Sequence, residues 1–248
     1  MRIDQRGHAE PPYVLFWDFD GTLAYSPHLW SEAMCEAVNE AAGTDLICLE
    51  EVRPHMRVGF PWHTPEAAYP EDVNDRWWTM LYRRIIAVGL RLGLTPAQAE
   101  AVCPLLRARI LDRQRYHLYP DTRSVLRWTV THHYRNILVS NNYPELPEMM
   151  ACLGLASFFQ EMVVSARLGY EKPHPIIFQR ALAAAGRLHR PDTCVMIGDN
   201  PIADIEGGRR AGMKTVLVHH AGAAGPQADA SISALAELPA CLQAWEKE

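Results

Sequence analysis

Six side chains suited to acid–base, nucleophilic or metal chemistry fall at or just beyond the ends of apolar runs in this 248-residue sequence. "VLFWDFDGTL" closes such a run with Asp18 and Asp20, Phe19 between them and Gly21-Thr22 after. "VSNN" ends another on Ser140, followed by Asn141 and Asn142. "GYEKPHP" supplies Lys172, one of only three lysines among 24 basic residues, and "MIGDNPIAD" supplies Asp199 and Asp204. Taken singly, each has a plain structural reading. An Asp at a strand end caps a helix or a turn, a Ser before Asn makes a turn, and a lone lysine is solvated. Together they read differently. Three or four carboxylates on one dry rim repel one another and cannot all stay ionised without a cation. A hard divalent ion meets that need. Mg²⁺ fits best, because it takes a few carboxylates and completes its shell with water and substrate phosphate. Strand alternation would set Asp18 and Asp20 on one face and Phe19 on the other. One carboxylate could then touch metal and substrate while the other reaches a leaving group. Ser140 and Lys172 would offer a hydrogen bond and a compact positive charge to a bound anion.

Positioning these groups requires strands that end together. Residues 13–19 read as a short buried strand, apolar on both faces. After Pro120 helices and strands alternate strictly: helix 121–132, strand 136–140, helix 145–152, strand 161–164, helix 175–185, strand 193–197, helix 202–211, strand 215–218 and helix 233–245. That order predicts βαβ units and a parallel sheet, in which ligands bind beyond the C-terminal strand ends. Residues 24–117 show helical spacing and no convincing strand. Apolar stripes run through 29–41 and 72–88, and Thr95, Pro96 and Gln98 form a capping box opening a helix that could reach about residue 116, bent or restarted near Pro104. The glycine- and proline-containing segment 57–72 reads as an ordered loop, and 221–231 as a small-residue loop. The expected fold class is α/β: a doubly wound, Rossmann-like parallel-sheet core (1–23 and 118–248) with an inserted all-α cap (24–117).

In that order and spacing, "DFDGTL", "SNN", "GYEKPHPIIF" and "GDNPIAD" resemble the four motifs of the haloacid dehalogenase superfamily of hydrolases. The resemblance spans roughly residues 12–23 and 118–245, and the helical insertion sits where that family carries a helical cap. It implies an Mg²⁺-dependent phosphatase acting on a small phosphomonoester. Asp18 would be the nucleophile, forming an aspartyl-phosphate, and Asp20 the general acid and base. Ser140, Asn141 and Lys172 would bind phosphate. Asp18, the Asp20 carbonyl and Asp199 would hold the metal, and Asp204 would support it through water or by pairing with Lys172. Dehalogenases of the family lack an acid at the position of Asp20, and phosphonatase chemistry needs a cap lysine, which 24–117 does not contain. A phosphomutase shares all four motifs and stays an alternative, as do a 2-haloacid dehalogenase-like hydrolase and a non-catalytic binding module.

Leaving-group recognition would fall to the cap. Tyr25 and His28 follow the first motif, and Arg57, Phe60, Trp62 and His63 cluster in the mid-cap loop. These could line a selective pocket or simply fill the cap's own core, as Trp77 and Trp78 on a helical face would. The net charge of −5 gives no reason to expect nucleic acid or an anionic membrane as partner. The apolar stretches fall far short of the ~20 residues of a membrane span. The polar N-terminus lacks a signal-peptide core, so a cytoplasmic address is expected. Six scattered cysteines without a CxxC pair form no zinc or disulfide framework and read as small hydrophobes. His132-His133 and His219-His220 read as helix-end and loop residues. A monomer and a homodimer both fit.

Overall fold

The computed structural model describes residues 13–45, 47–218 and 228–247. Its first strand, β1 (Val14–Trp17), leads to a two-residue strand, β2 (Ala24–Tyr25). Four helices follow: α1 (Leu29–Ala42), α2 (Leu49–Met56), α3 (Asp75–Arg91) and α4 (Pro96–Ile110). The chain returns through β3 (His117–Leu118), which pairs antiparallel with β2. Then α5 (Thr122–Thr131), β4 (Arg135–Ser140), α6 (Leu146–Cys152), β5 (Glu161–Val164), the single turn α7 (Ser165–Leu168) and α8 (Pro175–Ala184) alternate. The chain closes with β6 (Cys194–Gly198), a wide π-type turn at Pro201–Glu206, α9 (Gly207–Arg210), β7 (Lys214–Val218), β8 (Ala230–Ile232) and α10 (Leu238–Trp245).

Six of these strands form a sheet in the order β5-β4-β1-β6-β7-β8, parallel throughout. Central β1 is registered with Trp17 opposite Leu138 of β4 and Ile197 of β6. The chain fills one side of β1 and then the other, so the switch point lies at this strand. Both sheet faces are covered, as near-continuous apolar strands require. Leu15, Trp17, Leu138, Val195 and Ile197 pack into one buried cluster with Leu126 of α5, Leu146 of α6 and Leu238 of α10. Phe16, Ile137, Val139 and Met196 form the other, with Ile177 and Phe178 of α8.

Helical spacing between 24 and 117 produces a bundle whose apolar stripes meet: Met34 and Val38 of α1, Trp77 and Ile85 of α3, and Val102 and Leu106 of α4 are all buried in the first cluster. Thr95 caps α4 as its sequence suggests, its Oγ accepting the Gln98 N–H at 3.4 Å. Several expectations need correction. Strand residues do exist within 24–117, since β2 and β3 pair where the chain leaves and re-enters the core; two-residue strands carry no periodicity to read. The short helix α2 was hidden by its internal Pro54. Helix α4 runs on past Pro104 and stops at Ile110; Asp112 then accepts from Gln114 N–H and opens a separate 3₁₀ turn. The loop segment 57–72 contains a 3₁₀ turn, Pro61–His63. Strand β1 ends two residues early, because the Phe19 carbonyl turns to accept from Leu23 and Ala24. Most of 221–231, and all of His219-His220, lie outside the described residues, but Ala230 and Ser231 join β8. Only Cys103 and Cys194 are buried, and all six cysteines are free thiols. Among the described residues no helix is long and apolar enough to cross a membrane.

The segment before α3 is fastened to the sheet side. Tyr69 N–H donates to Gly169 O at 2.9 Å and Asn74 N–H to Ala166 O at 2.9 Å. Gly169 has φ +85°, and a Cβ there would strike the backbone of Pro70, so glycine is required for this approach. Tyr69 Oη also donates to buried Glu171. Removing that donor takes one of its partners from a buried carboxyl. Tyr69→Phe should therefore cost about 1–3 kcal/mol in denaturant unfolding, while an unchanged midpoint would show the bond to be dispensable.

Candidate active site

Three adjacent strands, β4, β1 and β6, deliver their last residues to one edge. Asp18 follows β1 directly, its N–H bound to Ile197 O at 3.0 Å. Ser140 ends β4. Asp199 follows β6. Lys172 reaches in from the loop before α8 and is 2% exposed. Its Nζ donates to Asp18 Oδ1 at 2.7 Å and to Asp204 Oδ1 at 2.6 Å. Asp204 arrives by way of the π-type turn. Asn200 caps that turn through Ile202 and Ala203 N–H, and its own N–H donates to Asp204 Oδ2 at 3.0 Å. Such wide turns recur at functional sites.

Glycines make the space. A Cβ at Gly198 would overlap the Asp204 carboxyl. One at Gly21, where φ is +80°, would overlap that of Asp199, which also accepts from Thr22 Oγ at 3.4 Å. Ser140 is buried, and its Oγ has no hydrogen-bond partner among the described residues. Asn141, expected to bind phosphate, spends its side chain on the main chain of Lys172: Oδ1 accepts the Lys172 N–H at 2.6 Å and Nδ2 donates to the Lys172 carbonyl at 2.9 Å. Its amide is a brace for the lysine. The residue whose role the sequence did not suggest is Asn142, whose Nδ2 donates to Asp20 Oδ2 at 2.7 Å. Its only signal was its place after Ser140-Asn141. Behind it, Tyr143 Oη donates to Tyr116 Oη at 3.0 Å, a buried pair no local motif announces.

Carboxylate oxygens of Asp18, Asp199 and Asp204 all lie within 4.8 Å of one another. This set of hard oxygen donors, with the space left by Gly21, fits a divalent cation of the Mg²⁺ type. The Asp20 carboxyl is not among them, since it turns to Asn142. Asp20 is an exposed residue whose open side faces a cavity. Burial, then the charge of Asp18, push its pKa from 3.8 up to about 7 against the lowering by Asn142 and Lys172; water at the open edge tempers the burial contribution. Burial raises Asp199 and Asp204 as well, Asp199 further through the charges of Asp18 and Asp204. Burial alone would lower Lys172, but Asp18 and Asp204 more than reverse it, so the ammonium is held charged.

A cavity of about 790 Å³ opens over this edge. Asp18, Asp20, Asn141, Lys172, Asp199 and Asp204 form its floor, and Tyr25, His28, Trp30, Trp62 and His63 line it further out. Two of the residues singled out in the mid-cap loop do not reach it. Arg57 is an exposed residue off the cavity. Phe60 is 2% exposed and packs inward, stacked on Trp62 at 4.6 Å, with the Arg84 guanidinium over the Phe60 ring at 5.2 Å from its centroid. His132 ends α5, stacked on Trp128.

A haloacid dehalogenase-like hydrolase family model matches residues 14–212, and the chain belongs to that family. It is 36% identical over 120 residues to a phosphoserine phosphatase of Thermus thermophilus, covering 48% of this chain and 47% of that protein. Over 133 residues it is 31% identical to a glyceraldehyde 3-phosphate phosphatase of Pyrococcus furiosus, covering 51% and 53%. The chain thus spans about half the length of the curated relatives it matches. Among solved structures, a HAD phosphatase of Thermococcus onnurineus superposes with TM-score 0.67 at 22% identity, covering 93% of this chain and 97% of that one. A magnesium-bound putative HAD-hydrolase of Bacillus subtilis gives 0.71 at 19%, covering 93% and 98%. These two establish the shared fold.

The clustered acids set a pH dependence. A carboxyl whose folded pKa lies above its unfolded value favours folding below the unfolded value and loses that contribution as pH rises through the folded one. Asp20, rising from 3.8 to about 7, and Glu171, from 4.5 to about 7 chiefly by burial, place the loss between about pH 4 and 7. In EDTA the thermal midpoint should accordingly be lower at pH 7.5 than at pH 5, with the slope reduced in Asp20→Asn. A midpoint that rises over this interval would contradict the arrangement.

Proposed function

We propose that the protein is an Mg²⁺-dependent phosphatase that hydrolyses a small phosphomonoester through an aspartyl-phosphate. The observation that carries this reading is the division of labour between Asp18 and Asp20. They share one cavity, yet one is clamped by a lysine and the other is held apart by Asn142 with a pKa near neutrality. A carboxylate beside a fixed cation can attack phosphorus. A carboxyl titrating near 7 can give a proton and then take one.

In the first step an Asp18 oxygen bonds to phosphorus as the ester P–O bond breaks, and protonated Asp20 gives its proton to the departing alkoxide. In the second, Asp20 takes a proton from water, whose oxygen attacks phosphorus. The Asp18–phosphorus bond breaks, phosphate leaves and both acids return to their starting states. An ammonium has three donors; two hold Asp18 and Asp204, which leaves one for a phosphoryl oxygen. The unpartnered Ser140 hydroxyl supplies another donor. Asp18, Asp199 and the Asp20 carbonyl would hold the metal, with Asp204 beside them pairing Lys172. When bound, Mg²⁺ neutralises the acids and the charge on the phosphoryl oxygens. The names of the two relatives, both phosphatases of small phosphomonoesters, support the substrate class.

Asp18→Asn should reduce turnover of an aryl phosphate at least about a thousandfold while circular dichroism stays native. Asp20→Asn should cost about 10²–10⁴-fold in kcat. Activity should vanish in EDTA and return with Mg²⁺. Near-wild-type turnover by Asp18→Asn would remove the nucleophile assignment, and metal-independent halide release from a 2-haloacid would remove the phosphatase reading.

A further inference from the structure

The outer cavity is poor in positive charge. Among the described residues that line it, Lys172 is the sole lysine or arginine, and it is already bound to Asp18 and Asp204. Arg57 lies off the cavity. Arg84 is held near Phe60 and donates to the His55 carbonyl. His63 is on the wall, but its Nδ1 accepts the Phe60 N–H at 3.2 Å, the arrangement of a neutral ring. Burial and the nearby Arg84 charge lower its pKa further. Among the described residues lining the cavity, then, no lysine or arginine is left over to answer a carboxylate on the leaving group.

The same wall is rich in flat apolar surface. Trp62 lines the cavity with Phe60 stacked on it, the rings 8° from parallel. Trp30, also on the wall, braces both, 5.5 Å from Trp62 and 4.9 Å from Phe60. From the sheet side Ile202 lines the cavity and is 60% exposed, a large aliphatic side chain left in water at the mouth of a site. Apolar surface kept open beside convergent polar groups marks the part of a ligand that covers it.

We propose that the leaving group is an uncharged alcohol presenting an apolar ring face to Trp62 and Ile202, and that carboxylate-bearing esters are disfavoured. This rests on the phosphatase reading above. Two matched substrate pairs test it on the wild-type protein with Mg²⁺. Between 4-carbamoylphenyl and 4-carboxyphenyl phosphate, alike in size and differing in one charge, kcat/KM should favour the uncharged ester by about tenfold or more. Between cyclohexyl and ethyl phosphate, kcat/KM should favour the ring by about tenfold. Trp62→Ala should shrink the ring preference mainly through KM, and Trp62→Phe should retain it. Equal rates within either pair, or preference for the carboxylate, overturn the substrate proposal and leave the phosphatase reading standing. No turnover of any of the four esters removes both.

Discussion

The Lys172 ammonium is the charge on which the site is built. It sits in a buried position between Asp18 and Asp204, bonded to both. Taking any of these three out of water alone would be costly, and the loss of one would leave the others uncompensated. Four aspartates converge on one sheet edge, and this ammonium bonds two of them. Much of the nearby structure serves to hold it. Asn141 braces its main chain from two directions, and Gly198 leaves the space that lets Asp204 approach. The π-type turn then carries Asp204 back toward the sheet rather than out along a helix face.

What the ammonium does not neutralise defines the chemistry. Burial and the charges of Asp18 and Asp204 raise the pKa of Asp199, and a divalent ion would relieve that repulsion. Asp20 is separated from that triad by one hydrogen bond to Asn142. Two carboxyls two residues apart therefore occupy different electrostatic settings, one fixed by a lysine and the other poised to titrate. The helices between β2 and β3 close the cavity from the other side, joined to the sheet by shared hydrophobic core and by the Tyr69–Glu171 bond next to the lysine.

The strand ends, the parallel sheet and the six chemical side chains were legible in the sequence, because apolar runs ending in polar residues report burial directly. The capping box of α4 was legible for the same local reason. Elements with no local signal were not: β2 and β3 are too short to show a period, α2 is masked by Pro54, and the turn after β6 looks like an ordinary helix start. The pleat argument for Asp18 and Asp20 also stopped short, since β1 ends at Trp17 and Asp20 lies in the following turn.

By itself the sequence determined which residues could do chemistry and that they lie at or beyond strand ends, since side-chain type and hydrophobic pattern are local properties. Only the tertiary structure decided which partners each of them meets. That the Asn141 side chain braces the lysine main chain depends on a loop 31 residues away. Whether Phe60 or Trp62 reaches the cavity depends on which ring the other aromatics bury. That Arg57 stands off the cavity wall follows from the path of a loop. Each is settled by contacts between segments distant in the chain, and such contacts leave no trace in the spacing of either segment alone.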